Sequence, residues 1–213
     1  YRLLQESPGA FHVGSTRVYQ GQDATFSSTS FAQGAALARY DLSVLLDGPG
    51  SSCVLNGLYM TSGTQHIDNN INIDHAKPQG TSRLYYKGIL DGKSRAIFGG
   101  TVLVRKDAQQ TDSQQKDKNL ILSDEAEVDS KPALFIYADD VKCSHGATAG
   151  HIDEDTIFYM RSRGLDLETT RSMLIRAFAS EIIDRVRVNS LRRYLDRLFS
   201  GALPVIQPTA TPP

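Results

Sequence analysis

The 213-residue sequence contains no tryptophan and two cysteines, Cys53 and Cys143. A secreted domain held by disulfides usually carries more cysteines in closer array, so the sequence favours a reducing compartment, although a single Cys53–Cys143 disulfide stays open. No apolar run approaches the ~20 residues that span a bilayer. The formal net charge is -1. Because neither sign of charge dominates, we expect no nucleic-acid partner and no membrane partner.

Sequence motifs of self-contained catalysis are also lacking. There is no Gly-x-Ser-x-Gly elbow, Walker A loop or His-Glu-x-x-His motif, so we predict no catalytic residues and no enzyme. The pair Asp139-Asp140 invites comparison with polysaccharide-cleaving β-solenoids, which stay an alternative. However, adjacent strand residues point to opposite faces and cannot flank one bond, which favours a turn or strand-end role. The first residues also lack an initiator Met and an apolar leader, which predicts a piece of a longer protein.

The region from Gly14 to about Ala149 is predicted to be mainly β. Its clearest strand covers residues 39–46, where apolar and polar side chains alternate. Shorter runs at residues 53–60, 70–74, 83–90, 96–98, 101–104, 119–122 and 133–137 follow, with Gly99-Gly100 and the polar residues 107–118 interpreted as connections. No helical pattern interrupts them, and hairpin signals such as Asp91-Gly92 are sparse. These features favour a β-solenoid, while the lack of a strict repeat keeps a sandwich open.

The period changes to helical after Gly150. Asp153 is predicted to cap a helix from Glu154 to about Arg163 that Gly164 ends, and Asp166 to cap a second. A third begins near Asn189 and ends at Gly201. The predicted organisation is therefore a β domain over residues 1–150, a helical subdomain over residues 151–202, and a disordered Pro/Thr-rich tail over residues 203–213. The apolar stripe of the second helix must be buried against the β region or a partner.

Cys143 and His145 form the main candidate site. Alternation places both side chains on one face of an extended segment, where a thiol and an imidazole suit a shared metal or sulfur species. They also suit a thiolate activated by a neighbouring base, since Lys142 and His145 are predicted to lower the pKa of the thiol. A buried thiol beside a hydrogen-bonded histidine is the plainer alternative.

A second polar cluster comprises His66, Asp68, Asp74 and His75. All four are possible metal ligands by type. Regular Asn and Asp side chains in β-solenoids commonly form ladders or bond turn backbone, and we favour that interpretation.

Several motifs resemble the SufB/SufD family of iron–sulfur cluster assembly proteins. They are Tyr86-Lys-Gly-Ile-Leu90, Ala108-Gln-Gln-Thr-Asp112, Asn119-Leu-Ile-Leu-Ser-Asp124, Ala138-Asp-Asp-Val-Lys-Cys-Ser-His-Gly-Ala-Thr148 and Phe158-Tyr-Met-Arg-Ser-Arg-Gly164. The version Lys142-Cys-Ser-His145 resembles the SufD branch, because the SufB branch typically carries Glu-His-Glu-Ala-Thr at this place. The resemblance covers the chain from about Ser7 to the last helix and identifies it as a C-terminal part.

This resemblance implies a right-handed parallel β-helix followed by a small helical subdomain. It implies a non-catalytic scaffold that pairs with SufB through the β-helix end and docks the ATPase SufC through the C-terminal helices. His145 and Cys143 would then be transient metal ligands at a nascent-cluster site on the SufB interface, with no cofactor held stably by this chain alone. The ATPase-docking residues implied are Phe158, Arg161, Ile175, Phe178 and Ile182. A homodimer in isolation, and a cytoplasmic or plastid-stromal location, complete these expectations.

Overall fold

A computed structural model describes residues 1–201 of the chain. They fall into two compact units, residues 1–150 and the residues from His151 onward. The first unit contains all of the strands found in this part of the chain, and the second contains all of its helices. Each unit has its own architecture and is described separately.

The first unit is a parallel β-solenoid. Its strands are β1 Arg2–Glu6, β2 Phe11–Gln20, β3 Thr25–Gly34, β4 Leu37–Leu46, β5 Ser52–Thr61, β6 His66–His75, β7 Thr81–Leu90, β8 Arg95–Val104, β9 Thr111–Ile121, β10 Glu127–Ile136 and β11 Val141–Gly150. Odd-numbered strands form one sheet and even-numbered strands the other, so the chain alternates between two sheets as it winds. Neighbouring strands in both sheets pair in parallel. The β-solenoid prediction is confirmed, and the sandwich is excluded.

The coils differ in length, which explains why the sequence shows no strict repeat. Register-paired residues are 26 positions apart at Phe11 and Leu37, but 32 positions apart at Arg95 and Glu127. Turns of variable length between ten-residue strands absorb the difference. A fixed period therefore cannot appear in the sequence, although the strands themselves stack in register.

The core lies between the two sheets, where inward-facing side chains of successive coils stack on one another. Val44, Ile73 and Val102 form one such row, and each is almost fully buried. Burying an aliphatic side chain of this size contributes about 1.5–3 kcal/mol relative to leaving it exposed. Repetition of such rows along the solenoid supplies its main stabilisation.

Three features of the β prediction are wrong. Gly99-Gly100 is not a turn, because β8 runs unbroken through both residues. Gly100 lets the Gln115 side chain approach the backbone of β8 closely. A Cβ at this position would lie 2.2 Å from Gln115 Nε2, which donates to the Gly100 carbonyl at 3.1 Å. The polar residues 107–118 are not a connection either, since β9 begins at Thr111. The strands also begin at Arg2 rather than near Gly14.

The second unit contains helices α1 Glu154–Ser162, α2 Leu167–Ile183 and α3 Asn189–Gly201. Both predicted N-caps are confirmed, because the carboxylates of Asp153 and Asp166 accept from the backbone N–H groups of Thr156 and Thr169 at 2.9 and 2.8 Å. Helix α2 packs against both α1 and α3. The predicted tail over residues 203–213, and residue 202 of the predicted subdomain, lie outside the described residues.

Candidate functional site

The C-terminal end of the solenoid is an open rim formed by β10 and β11. Each is the last strand of its sheet and pairs with one neighbour within the described chain, β8 and β9 respectively. The far edge of each strand therefore presents backbone donors and acceptors that a further strand can pair with. An open edge of this kind is a natural place for a partner chain.

Cys143 and His145 both face the lumen at this rim. In register, Cys143 pairs with Ser113 and His145 with Gln115, and these β9 side chains are buried between the sheets. Because paired residues of a parallel sheet point to the same face, Cys143 extends the inward row of Ser113 and His145 extends that of Gln115. The prediction that the two side chains share one face is confirmed. Cys143 is partly buried against the core, whereas His145 is exposed.

The Cys143 thiol is not activated by its neighbours. Burial raises its pKa above the ordinary value, and a hydrogen bond from the Ser113 backbone opposes this only in part. The prediction that Lys142 and His145 lower the pKa of this thiol is therefore wrong, since desolvation sets the direction of the shift and Lys142 points to the other face of β11. A protonated thiol is a weak nucleophile, so it becomes a ligand only when a metal displaces its proton.

A disulfide between the two cysteines is excluded by the register. Cys53, Ser82, Ser113 and Cys143 occupy one inward row on four successive strands. Three strand spacings separate the cysteines by about 14 Å, roughly twice the longest Cα separation of a disulfide. Both cysteines are free, and burial raises the pKa of Cys53 to about 12. Cys53 is therefore chemically inert in the folded protein.

The second polar cluster is divided among other partners. Asp68 pairs with Arg39, and Asp74 with Arg105 at 2.7 Å. His75 faces inward, where it lies 2.9 Å from Ser82 Oγ and burial lowers its pKa to about 4. Residues 1–201 contain no group of three or more His, Cys, Asp or Glu side chains arranged to hold a metal ion. These contacts agree with the interpretation as side-chain ladders.

Asp139 and Asp140 lie in the turn between β10 and β11. The Asp140 backbone N–H donates to Gln109 Oε1 at 2.9 Å, and its carbonyl accepts from the Gln110 backbone at 2.6 Å. The predicted turn role is confirmed.

A buried polar network beneath the rim was missed by the sequence reasoning. Asp117 Oδ2 accepts from Asn119 Nδ2 at 2.8 Å and from Ser130 Oγ at 2.7 Å, and Asn119 Oδ1 accepts from Tyr59 Oη at 2.6 Å. The sequence carries no signal for it, because every residue from Thr111 to Asn119 is polar and only the fold decides which of them face inward. A search restricted to apolar alternation passes over this strand.

The predicted ATPase-docking residues divide by exposure. Phe158 is 76% exposed, Arg161 is exposed and Phe178 is partly buried. Ile175 and Ile182, at 1% and 0% exposure, cannot contact a partner in this conformation. They lie on the buried face of α2, so their place in the predicted docking set is corrected to a role in packing.

An apolar patch adjoins the rim, formed by Phe135, Ile136 and Tyr137. They are 50%, 41% and 65% exposed, at the end of β10 and just after it. Exposed aromatic side chains of this kind are enriched at protein interfaces.

None of the helices described in residues 1–201 is long and apolar enough to cross a bilayer.

Comparison with known proteins shows the family of the chain. A family model described as "SUF system FeS cluster assembly, SufBD core domain" matches residues 1–178. The chain is 39% identical to the iron–sulfur cluster assembly protein SufD of Escherichia coli over 95% of this chain and 48% of that protein. It is 37% identical to an iron–sulfur cluster assembly SufBD family protein of Synechocystis, over 93% of this chain and 44% of the relative.

A third similar protein is ABCI7, chloroplastic, of Arabidopsis thaliana, which is 38% identical over 94% of this chain and 42% of its own length. The chain thus spans about half the length, or slightly less, of these curated relatives. The family model covers all of the solenoid and continues into α2, and the identities hold along nearly the whole chain. The chain belongs to the SufBD family of iron–sulfur cluster assembly proteins of the SUF system.

Proposed function

We propose that this chain is a non-catalytic scaffold subunit that pairs with SufB through the C-terminal rim of its solenoid. The observation that carries the proposal is the coincidence of three features at one end of the fold. The strand edges of β10 and β11 are open, apolar side chains led by Tyr137 adjoin them, and His145 and Cys143 face the lumen there. A partner strand that covers this rim also covers the two candidate ligands.

The ligand count indicates a site shared between two chains. Thiolate and imidazole are suitable iron ligands, and biological iron–sulfur clusters usually take four protein ligands. His145 and Cys143 supply at most two. The nascent cluster is therefore a transient cargo of the complex, completed by side chains of SufB, and the isolated chain holds no cluster stably.

The helical unit is the proposed docking surface for SufC, the ATPase. Phe158 and Arg161 project from α1 into solvent, and Phe178 of α2 is partly exposed. Movement of an ATPase on these helices could open the SufB interface by a rigid-body switch. In the absence of SufB, the open edges of β10 and β11 favour a homodimer. The proposed location is the cytoplasm, or the plastid stroma in a photosynthetic eukaryote.

Two charge insertions are expected to separate the two partner surfaces. Tyr137→Asp places a charge in the apolar patch and should abolish co-purification with SufB while SufC binding persists. Phe158→Asp should abolish SufC binding while co-purification with SufB persists, because the side chain is exposed on α1 and remote from β10 in the chain. Each variant serves as the control for the other, and binding is measured by affinity co-purification and calorimetry.

Burying an unpaired carboxylate costs several kcal/mol, so the affected complex should weaken by at least ~100-fold. Thermal unfolding of both variants should match the parent protein, since both sites are exposed. Loss of SufB binding in Phe158→Asp with retention in Tyr137→Asp would refute the assignment of the two surfaces.

A further inference from the structure

The buried carboxyl group of Asp117 lies one strand beneath the strand that carries the candidate site. Asp117 is fully buried, and in register it pairs with Ala147 of β11. Its Oδ2 atom has two donors, Asn119 Nδ2 and Ser130 Oγ. Its Oδ1 atom has no hydrogen-bond partner within the described residues. Asp117 thereby links β9 to β10 across the lumen with only half of its carboxylate satisfied.

A second unsatisfied acceptor lies beside it on the same inward face of β9. Gln115 Oε1 also lacks a partner in the described part of the chain, and Gln115 is 1% exposed. Two buried acceptors without donors are costly. Protonation of Oδ1 turns one of these acceptors into a donor and removes the buried negative charge. Addition of a proton therefore removes the buried charge of Asp117 and one of its unsatisfied acceptors.

The groups that face Asp117 come from several strands. Tyr59 of β5 and Tyr86 of β7 are phenols whose pKa burial raises, so both are neutral near pH 7. β10 contributes the hydroxyl of Ser130, and β11 contributes Cys143 and His145 on the same inward side. Desolvation raises the pKa of Asp117 itself to about 6, although Ser130 and Asn119 oppose the shift.

We propose that Asp117 is a proton-operated latch for the rim, whose acid form holds β11 closed against β9 and whose carboxylate form loosens it. β11 is the element that responds, because it pairs on one side only and all of its side chains except Val141 and Cys143 are exposed. Edge elements of this kind open locally at low free-energy cost. Loosening exposes the partly buried side chain of Cys143, whereas His145 is exposed already. The latch is independent of which partner covers the rim.

The direction of the pH effect follows from linkage. The closed form binds the proton more tightly than an open, hydrated form with an ordinary pKa near 3.9. The stabilisation of the closed form is complete below that value and is lost as the pH rises through about 6. With a pKa of about 6 in the closed form and near 3.9 in the open form, the ratio of closed to open molecules falls about 10-fold between pH 5 and pH 7.5.

Hydrogen exchange of the β11 amides tests the latch in the intact chain. After correction for the intrinsic pH dependence of exchange, protection of residues 141–150 should fall about 10-fold from pH 5 to pH 7.5. Asp117→Asn should abolish this dependence. The matched control is Asp129→Asn, which removes an outward-facing carboxylate of β10 that pairs with Lys131 at 2.9 Å and should keep the dependence.

A second variant gives a result that does not require Asp117 to be replaced. Ser130→Ala removes a donor to the carboxylate, so it should raise the pKa of Asp117 and move the transition to higher pH. Identical pH profiles in the parent protein, Asp117→Asn and Ser130→Ala would overturn the proposal. A loss of pH dependence in Asp129→Asn alone would do so as well.

Discussion

Replacement of His145 by Ala is expected to abolish iron–sulfur cluster formation by a complex of this chain with SufB and SufC. The imidazole lies at the end of an inward row, on an exposed strand that carries one other candidate ligand. In the proposed shared site, His145 is one of two ligands from this chain, so its loss should remove an iron–ligand bond. Because His145 is exposed, the substitution should change the free energy of unfolding by no more than about 0.5 kcal/mol.

The measurement is anaerobic reconstitution of the purified complex, followed by its iron and sulfide content and visible absorbance. His66→Ala is the matched control, since it removes an imidazole from the outward face of β6 and should leave cluster yield unchanged. Retention of SufC binding in both variants separates a ligand defect from an assembly defect. Normal cluster yield from His145→Ala would remove His145 from the site, and normal yield from His145→Gln would favour a packing role.

Substitution of Gly57 by Ala is expected to cause a large loss of stability in the solenoid. A Cβ at Gly57 would lie 2.2 Å from Cε1 of Tyr86. Tyr86 is 2% exposed and its ring packs against that of Phe98, with centroids 5.3 Å apart. The ring has no free space to move into, so overpacking should cost about 3 kcal/mol. Urea denaturation with an unchanged m-value measures the effect.

Gly146→Ala is the control for this substitution. No heavy atom of the described residues lies within 4 Å of the position that a Cβ at Gly146 would occupy. The added methyl group should therefore change the free energy of unfolding by less than about 0.5 kcal/mol. Equal effects of the two substitutions would show that the Tyr86 ring does not fill the space above Gly57.

The parts of the fold that the sequence predicts are those where one physical pattern dominates. Residues 39–46 alternate cleanly because β4 is buried on its inward face only, and Asp153 and Asp166 mark helix starts because a carboxylate satisfies free N–H groups there. β9 was missed because its inward residues are polar and find partners on other coils. Those partners, such as Ser130 for Asp117, are 13 or more positions away and only the register brings them together.

The sequence predicts that the two candidate residues share one face, but it does not predict the pKa of the thiol. Alternation alone places Cys143 and His145 on one face, and the structure confirms this placement. The raised pKa of the thiol depends on burial against the core, which no local pattern records. Likewise, Ile175 and Ile182 resemble a docking stripe in sequence, and only the folded structure shows that both are buried.

The central claim is that a SufB partner covers the C-terminal rim of this solenoid. Hydrogen exchange of the chain with and without SufB tests it most directly, because backbone pairing to an open edge protects the paired amides. We predict new protection in residues 127–137 and 141–150, with little change in β2 at the opposite end of its sheet. Protection confined to residues 11–20, with β10 and β11 unchanged, would contradict the account.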